Sequence, residues 1–139
     1  MNCEAHGPML VVDASVLFEV VADTASSEAL RAYLVSDTEH AAPHLVDAEV
    51  LSVVQSALRR GALDPTAASQ AVSDLALWPG VRYPHQPLLE RAWELRHNVR
   101  GHDAMYVALA EALGATLLTL DHRLASTAGI ACTVEVPKP

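Results

Sequence analysis

The sequence has little lysine and little cysteine, and each shortage excludes a class of function. The single lysine, Lys138, is the next-to-last residue. The chain therefore has no P-loop lysine, no lysine placed for a Schiff base and no internal lysine to pair with a phospho-accepting aspartate. Cys3 and Cys132 lie near opposite termini and form no Cys-x-x-Cys motif. This usage excludes a disulfide-stapled secreted scaffold, and we expect a protein of the reducing cytoplasm.

Positive charge and long apolar runs are also scarce. Seventeen acidic residues against nine basic ones give a net charge of -8, which argues against a general basic surface for holding nucleic acid. Nucleic acid is not excluded as a substrate, because carboxylates that bind a divalent cation are counted in that total. The most apolar stretch, 9–22, is interrupted by Asp13 and Glu19, and no basic segment precedes it. We expect no membrane association.

The chain length allows one hydrophobic core. A chain of 139 residues with 51% hydrophobic content fills one sizeable core but is too short for two ordinary domains. Residues 1–8, which end in Gly7-Pro8, are expected to form a loose N-terminal leader. Residues 9–136 are expected to form a single domain.

Helical and strand patterns alternate along that domain. Apolar, β-branched runs predict strands at 9–12, 81–83, 115–120 and 132–136. Helical patterns, several of them with caps, predict helices at about 15–21, 26–35, 43–60, 64–77, 88–97, 103–113 and 123–127. This alternation predicts an α/β fold of three layers, α/β/α, with a mainly parallel central sheet of four to five strands.

Four carboxylates occupy places where a charge is costly. Asp13 and Asp121 close apolar runs that predict strands, and Glu49 and Asp103 lie on predicted helices with apolar faces. Each acid alone has an ordinary explanation as a helix cap or an ion-pair partner. Together they favour a site, because ligands bind at the carboxyl ends of parallel strands. Oxygen donors suit Mg²⁺ or Mn²⁺, and these ions promote phosphodiester hydrolysis.

At these residues the sequence resembles the PIN-domain nucleases, and within them the VapC-type toxins of bacterial toxin-antitoxin pairs. The resemblance extends from Met9 to about Val136. It is carried by Val-Val-Asp-Ala-Ser-Val at 11–16, by Glu49-Val50, and by the long block at 102–124 that begins His-Asp-Ala-Met-Tyr-Val. The last block is highly specific. The resemblance implies a single PIN-like domain over 9–136.

The resemblance also implies a reaction and a cofactor. The acids match a quartet that binds one or two Mg²⁺ or Mn²⁺ ions, namely Asp13, Glu49, Asp103 and Asp121. The implied activity is that of an endoribonuclease, in which a metal-activated water hydrolyses the RNA phosphodiester bond without a protein nucleophile.

Two further residues match supporting positions, and two features depart from the family pattern. Ser15 matches the small polar residue after the first acid, and Thr119 matches the hydroxyl residue two places before the last. The Asn or small residue common after the helix-borne Glu has only Ser52 and Gln55 as counterparts. His102 replaces an aromatic residue often found before the third acid.

Basic residues lie close in sequence to the last two acids. Because guanidinium groups bind phosphate in a bidentate manner, substrate contacts are expected from Arg96, Arg100, His102 and Arg123. The alternative is a solvated surface, since Arg91 and Arg96 alternate with Glu90 and Glu94 on one helix. Trp78 and Trp93 are interpreted as core or dimer packing rather than as base-stacking platforms.

The resemblance further implies partners. These are an RNA substrate, a second copy of the chain in a homodimer, and a small antitoxin protein whose terminal segment lies across the acidic groove. The third and fourth predicted helices offer apolar surface for a partner, with core packing as the alternative, at Leu51, Val54, Leu58, Leu63, Ala67, Ala71 and Leu75.

Two other functions share some of these features. A non-catalytic metal-binding or signalling module could have the same sheet, but its receiver-domain version needs an internal lysine that the chain lacks. A metal-dependent phosphatase usually needs a second Asp two residues after its nucleophile. That place is taken by Ser15.

Overall fold

A central parallel sheet organises the molecule. The computed structural model describes residues 9–34 and 39–138; the predicted loose leader at 1–8 lies outside them. The strands are β1 Leu10–Val12, β2 His40–Pro43, β3 Val81–Tyr83, β4 Thr116–Leu118 and β5 Val134–Glu135. The helices are α1 Ala14–Val21, α2 Ser27–Leu34, α3 Leu45–Arg59, α4 Pro65–Leu77, α5 Leu89–Glu94, α6 Gly101–Leu113 and α7 His122–Ala125.

The strand order places a change of direction beside β1. The sheet runs β3-β2-β1-β4-β5 with every pair parallel. Chain progress from β1 to β3 goes one way across the sheet, and progress from β3 to β5 goes the other way. Right-handed crossovers therefore put α1 to α4 on one face and α5 to α7 on the other. The predicted three-layer α/β fold with a parallel sheet is confirmed.

Helix contacts agree with this arrangement. The helices α1, α3 and α4 pack on one another, whereas α6 packs on β1, β2 and β4. All three residues of β1 are buried, and successive strand residues face opposite sides, so both faces of the strand are covered. The hydrophobic core therefore extends over both faces of the sheet. The carboxyl edge of the strands is where such folds bind ligands.

The strand β2 was not predicted. Its sequence, His-Ala-Ala-Pro, lacks β-branched residues and ends in proline, so it carries little strand signal. It forms because β1 and β3 pair with it on either side. Ala41 and Ala42 are almost fully buried, one on each face of the sheet, and α6 packs against the strand.

Several predicted boundaries hold and others shift. Asp64 caps α4 by accepting from the Ala67 N–H at 2.8 Å, and Gly61 and Gly114 adopt positive φ after α3 and α6. The predicted helix at 88–97 is instead a 3₁₀ turn, Gln86–Leu88, followed by the short α5. The helix α6 begins at Gly101, which places Asp103 in its first turn. The last two strands are shorter than predicted.

The apolar residues of α3 and α4 divide between core and surface. Val54, Ala71 and Leu75 are buried, as the core-packing alternative predicts, whereas Leu51 and Leu58 are exposed. The interpretation of Trp93 as a core residue is wrong, because its side chain is 68% exposed. Within residues 9–34 and 39–138, none of the helices has the length and apolar character that crossing a bilayer requires.

Arg82 on β3 ties α3 and α4 to the sheet. Its guanidinium donates to both carboxylate oxygens of Asp47 on α3, at 3.0 and 3.1 Å. It also donates to the carbonyl oxygens of Leu75, Trp78 and Gly80 at 2.9, 2.7 and 3.1 Å, and it lies 4.9 Å from the Trp78 ring centroid. The Leu75 carbonyl also accepts from the Trp78 backbone N–H at 3.2 Å, whereas the Trp78 and Gly80 carbonyls lie beyond the end of α4.

We expect Arg82→Ala to lower the free energy of unfolding by about 2–4 kcal/mol, because several charged hydrogen bonds are lost together. Arg82→Lys should recover only part of this loss, since an ammonium group cannot reproduce the bidentate fork. Urea unfolding measures both effects. The exposed Arg59→Ala serves as the matched control and should shift stability by no more than about 0.5 kcal/mol. Equal effects of the Arg82 and Arg59 variants would contradict this account.

Candidate active site

Asp13 is held by hydroxyl groups rather than used as a helix cap. It follows β1 and occupies the N-cap position of α1, but its side chain makes no capping hydrogen bond. Its Oδ2 accepts from Thr119 Oγ1 at 2.6 Å and from Ser15 Oγ at 3.0 Å, and the residue is 9% exposed. The ordinary explanation of Asp13 as a cap therefore does not apply. The carboxylate is oriented by two donors from separate segments.

The same two hydroxyl groups fasten the segment after β4. Thr119 Oγ1 accepts from the Asp121 backbone N–H at 3.1 Å, and Ser15 Oγ accepts from the Leu120 N–H at 3.1 Å. Each hydroxyl thus accepts from the backbone and donates to Asp13 at once. The structure brings together the two residues that the sequence marked as supporting, and it joins the ends of β1 and β4.

Asp121 does act as a cap, and it has an arginine partner. Its Oδ1 accepts from the Arg123 backbone N–H at 2.9 Å, which caps α7. The Arg123 guanidinium also contacts both carboxylate oxygens at 3.2 and 3.1 Å. These hydrogen bonds hold the pKa of Asp121 below its ordinary value. The ordinary explanation of this acid is correct, although the residue also faces the cleft described below.

Glu49 on α3 points toward α6. Its Oε1 accepts from the Tyr106 hydroxyl at 2.7 Å, and its Oε2 lies 3.7 Å from Nδ1 of His102. Burial raises the pKa of Glu49, the Tyr106 hydrogen bond opposes that rise, and the charges of Asp13 and Asp103 add to it. The contact between Tyr106 and Glu49 was not predicted. The i, i+3 spacing of Asp103 and Tyr106 was the available signal.

Asp103 lies among both acidic and basic neighbours. It is half-buried in the first turn of α6, and burial raises its pKa. The negative charges of Asp13 and Asp121 raise the pKa further, whereas Arg100 and Arg123 lower it. Carboxylates from distant parts of the chain thus lie near enough to repel one another, which favours a bound cation.

A single cleft unites these groups at the carboxyl edge of the sheet. It has a volume of about 680 Å³. Its lining includes all of the predicted acids together with Ser15, His102 and Arg123, while Thr119 lies buried behind Asp13. The cleft wall also includes Ser52 and Val53 of α3, both exposed. The expectation that the whole Glu49 face packs against protein is therefore wrong at these two residues.

The other predicted substrate contacts lie beside the cleft. Arg96 and Arg100 line a neighbouring groove, and Arg100 also borders the space next to Glu49 and Asp103. His102 and Arg123 face the acids directly. Within the described ranges, no three His, Cys, Asp or Glu side chains form a ready-made cage for a metal ion. The donor chemistry fits a divalent cation, although the acids line the cleft rather than close on one point.

Comparison with known proteins agrees with this geometry. The PIN domain family model matches residues 10–130. Ribonuclease VapC1 of Mycobacterium tuberculosis is 39% identical over 127 residues, which cover 91% of this chain and 96% of that protein.

Solved structures share the fold. The VapBC2 structure from Rickettsia felis, bound to a promoter DNA fragment, matches with a TM-score of 0.67 at 15% identity. The match covers 94% of this chain and 99% of that one. A member of the VapBC family of toxin-antitoxin systems, VapBC-5 from M. tuberculosis, matches with a TM-score of 0.61 at 21% identity over 96% of this chain and all of that one. The resemblance stated from the sequence is confirmed: the chain belongs to the PIN-domain family, among its VapC ribonucleases.

Proposed function

We propose that this protein is a divalent-metal-dependent endoribonuclease and the toxin of a toxin-antitoxin pair. The observation that carries the proposal is the convergence of Asp13, Glu49, Asp103 and Asp121, from four distant segments, on one cleft at the carboxyl edge of the sheet. Burial and the charges of neighbouring carboxylates raise the pKa values of Glu49 and Asp103, which supports a cation there. Membership in a ribonuclease family favours this function over a non-catalytic binding or signalling module.

In this proposal the four carboxylates hold one or two Mg²⁺ or Mn²⁺ ions. When bound, the metal supplies an activated water at neutral pH and offsets charge on the scissile phosphate. The chain's own work is positional. Thr119 and Ser15 fix the Asp13 carboxylate, and Tyr106 fixes Glu49. Such supporting contacts set the orientation of ligands and tune their affinity for metal.

The basic residues near the cleft differ in how available they are to contact the substrate. Arg100 lies near Asp103 and Asp121 without forming an ion pair with a described carboxylate, so its guanidinium is available to a phosphate. His102 is exposed beside Glu49. Arg123 is engaged with Asp121, and a phosphate contact would compete with that pair. Arg100 and His102 are therefore the stronger candidates for RNA contacts.

The proposed protein partner is a small antitoxin. A cleft lined by acids attracts a basic segment, and the exposed Val53 of α3 lines that cleft as an apolar anchor. VapBC-5 of M. tuberculosis, which shares the fold, is a member of the VapBC family of toxin-antitoxin systems. The homodimer and the cytoplasmic location stay predictions of the sequence.

We expect Asp103→Ala and Asp13→Ala to reduce RNA cleavage by at least about 100-fold, since metal-assisted stabilisation of the transition state is worth several kcal/mol. Cleavage should also stop in excess chelator and return on addition of Mg²⁺ or Mn²⁺. A gel assay on single-stranded RNA measures all of these outcomes. Asp64→Ala, which removes an acid from the distant α4 cap, is the matched control and should cut normally. Cleavage that persists in chelator would refute the metal mechanism.

Thr119→Val should weaken Mn²⁺ binding by about 10- to 100-fold, the usual cost of losing a hydrogen bond that orients a metal ligand. The reason is that Asp13 loses its shortest contact. Thr119→Ser keeps the hydroxyl and should bind nearly as well as the wild type. Calorimetric titration with Mn²⁺ gives the affinities. If the Val and Ser variants bind equally well, the hydroxyl does not position Asp13.

Asp103→Asn should stabilise the metal-free protein at neutral pH. Because the pKa of Asp103 is raised in the folded state, the folded protein binds that proton more tightly than the unfolded chain, and ionisation costs stability as pH rises. The advantage of the variant should shrink as pH falls through the carboxyl range. Thermal unfolding in chelator at several pH values measures it.

Asp121→Asn is the matched control for that experiment. The pKa of Asp121 is lowered by Arg123, so its ionised form is already favoured in the folded protein. This variant should therefore give no stabilisation at neutral pH. A stabilising Asp121→Asn together with a neutral Asp103→Asn would reverse the electrostatic assignment.

A further inference from the structure

An apolar groove with two arginines lies next to the acidic cleft. It has a volume of about 490 Å³, with Leu89 and Met105 among its apolar residues and Arg96 and Arg100 among its polar ones. Its most exposed large apolar residue is Trp93 on α5, at 68%. No carboxylate lines the groove. A large aromatic ring left open to solvent marks a binding surface rather than a packing residue.

Trp93 is held in a defined geometry. The Arg96 guanidinium lies 4.5 Å from the ring centroid, and its Nη1 donates to the Trp93 carbonyl oxygen at 2.9 Å. The side chain of Arg96 is therefore fixed against the ring instead of extending into solvent. In the described part of the chain, no carboxylate lies within ion-pair distance of Arg96. The pair presents a flat, positively charged surface without an internal counter-charge.

The groove adjoins a space that borders the acidic cleft. Arg100 and Gly101 line the groove and also the space beside Glu49 and Asp103. Arg100 further borders the space between Asp103 and Asp121. A chain of nucleotides with its phosphate at the acids would therefore pass Arg100 before reaching Trp93.

We propose that Trp93 and Arg96 form a stacking subsite for an unpaired base of the single-stranded RNA substrate, next to the phosphate that is cut. Stacking on an aromatic or guanidinium plane is the usual means of holding an unpaired base, and Arg100 supplies the positive charge for the intervening phosphate. This inference rests on the proposed ribonuclease function. It specifies the form of the substrate as single-stranded RNA in which one base can unstack from its neighbours.

The charge of the groove favours RNA over a second copy of the chain. In a two-fold symmetric contact, the same patch is contributed by both copies, so the interface would hold Arg96 and Arg100 from each of them. Like charges placed across an interface are costly, and the groove lining provides no carboxylate to offset them. A polyanion with exposed bases satisfies both the arginines and the indole ring.

Binding of RNA by an uncleaving protein tests the subsite directly. In the Asp103→Asn background, Trp93→Ala should weaken binding of a short random-sequence single-stranded RNA by about 5- to 100-fold, as expected for loss of one stacked base. Trp93→Phe should recover most of the loss. Leu77→Ala removes an equally exposed apolar side chain at the far end of α4 and should leave RNA binding unchanged. Fluorescence of the Asp103→Asn protein should be quenched by RNA, and less so after Trp93→Phe.

Cleavage kinetics separate a binding role from a structural one. With Asp103 intact, Trp93→Ala should raise KM for single-stranded RNA with little change in kcat, and its Mn²⁺ affinity should equal that of the wild type. Unchanged RNA binding by Trp93→Ala would overturn the proposal. So would sedimentation that shows a dimeric wild type and a monomeric Trp93→Ala variant, because the surface would then join two copies.

Failure of the subsite is distinguishable from failure of the proposed function. If the wild type cuts RNA in a metal-dependent way and Trp93→Ala binds and cuts equally well, the nuclease stands and the subsite falls. If the wild type binds RNA through Trp93 but cuts none with any divalent ion, the subsite stands and the nuclease falls.

Discussion

The hydrogen bond from Thr119 to Asp13 fixes the place on which the rest of the site depends. It joins the ends of β1 and β4, the two neighbouring strands between which the sheet changes its direction of progress. The connections that leave these two neighbouring strands run to opposite faces of the sheet, so a crevice opens between them at the carboxyl edge. Glu49 and Asp121 reach the crevice from α3 and from the turn after β4, both of which follow strand ends, whereas Asp103 reaches it from α6, which follows α5. The topology of the sheet thus determines where the carboxylates converge.

That convergence places stability and chemistry in opposition. Burial and like charges raise the pKa of Glu49 and Asp103, so the ionised site works against the folded state. Two local contacts limit the cost: Tyr106 donates to Glu49, and Arg123 pairs with Asp121. The second contact also occupies an acid that the proposed metal site uses. A cleft that is repulsive when empty has a stronger affinity for a cation than one whose acids are all paired.

The sequence was most informative where one residue carries its own structural signal. Asp13 and Asp121 close buried runs, Asp64-Pro65 and Gly61 mark helix ends, and these features depend on neighbours in the chain. The parallel sheet was predicted from the alternation of strands and helices, whereas the order of its strands was not predicted. The strand β2 could not be found this way, because its alanines are held by pairing with β1 and β3 rather than by strand propensity.

Contacts between distant segments were the other gap. Nothing near Arg82 in the sequence indicates that it would bind Asp47 and the end of α4. The spacing of Asp103 and Tyr106 places both on one face of α6, but it does not identify Glu49 as the partner of Tyr106. The interpretation of Trp93 as a core residue was wrong for a related reason. An aromatic residue in an apolar helix is usually buried, but α5 is only a short helix, and Ala92 and Leu95 take the inward positions beside it.

The exposed tryptophan also bears on how an acidic protein can handle a polyanion. With a net charge of -8, the whole surface repels RNA at long range, so affinity has to come from local features. Carboxylates at the cleft lose their repulsion only when a cation compensates them. The adjoining groove needs no such compensation, because its lining has arginines and an aromatic ring but no acid. Stacking of a base on an aromatic ring does not depend on the net charge of the protein, whereas contacts with phosphate do. The two neighbouring surfaces therefore divide the substrate between them, the backbone at the acids and the base at the ring.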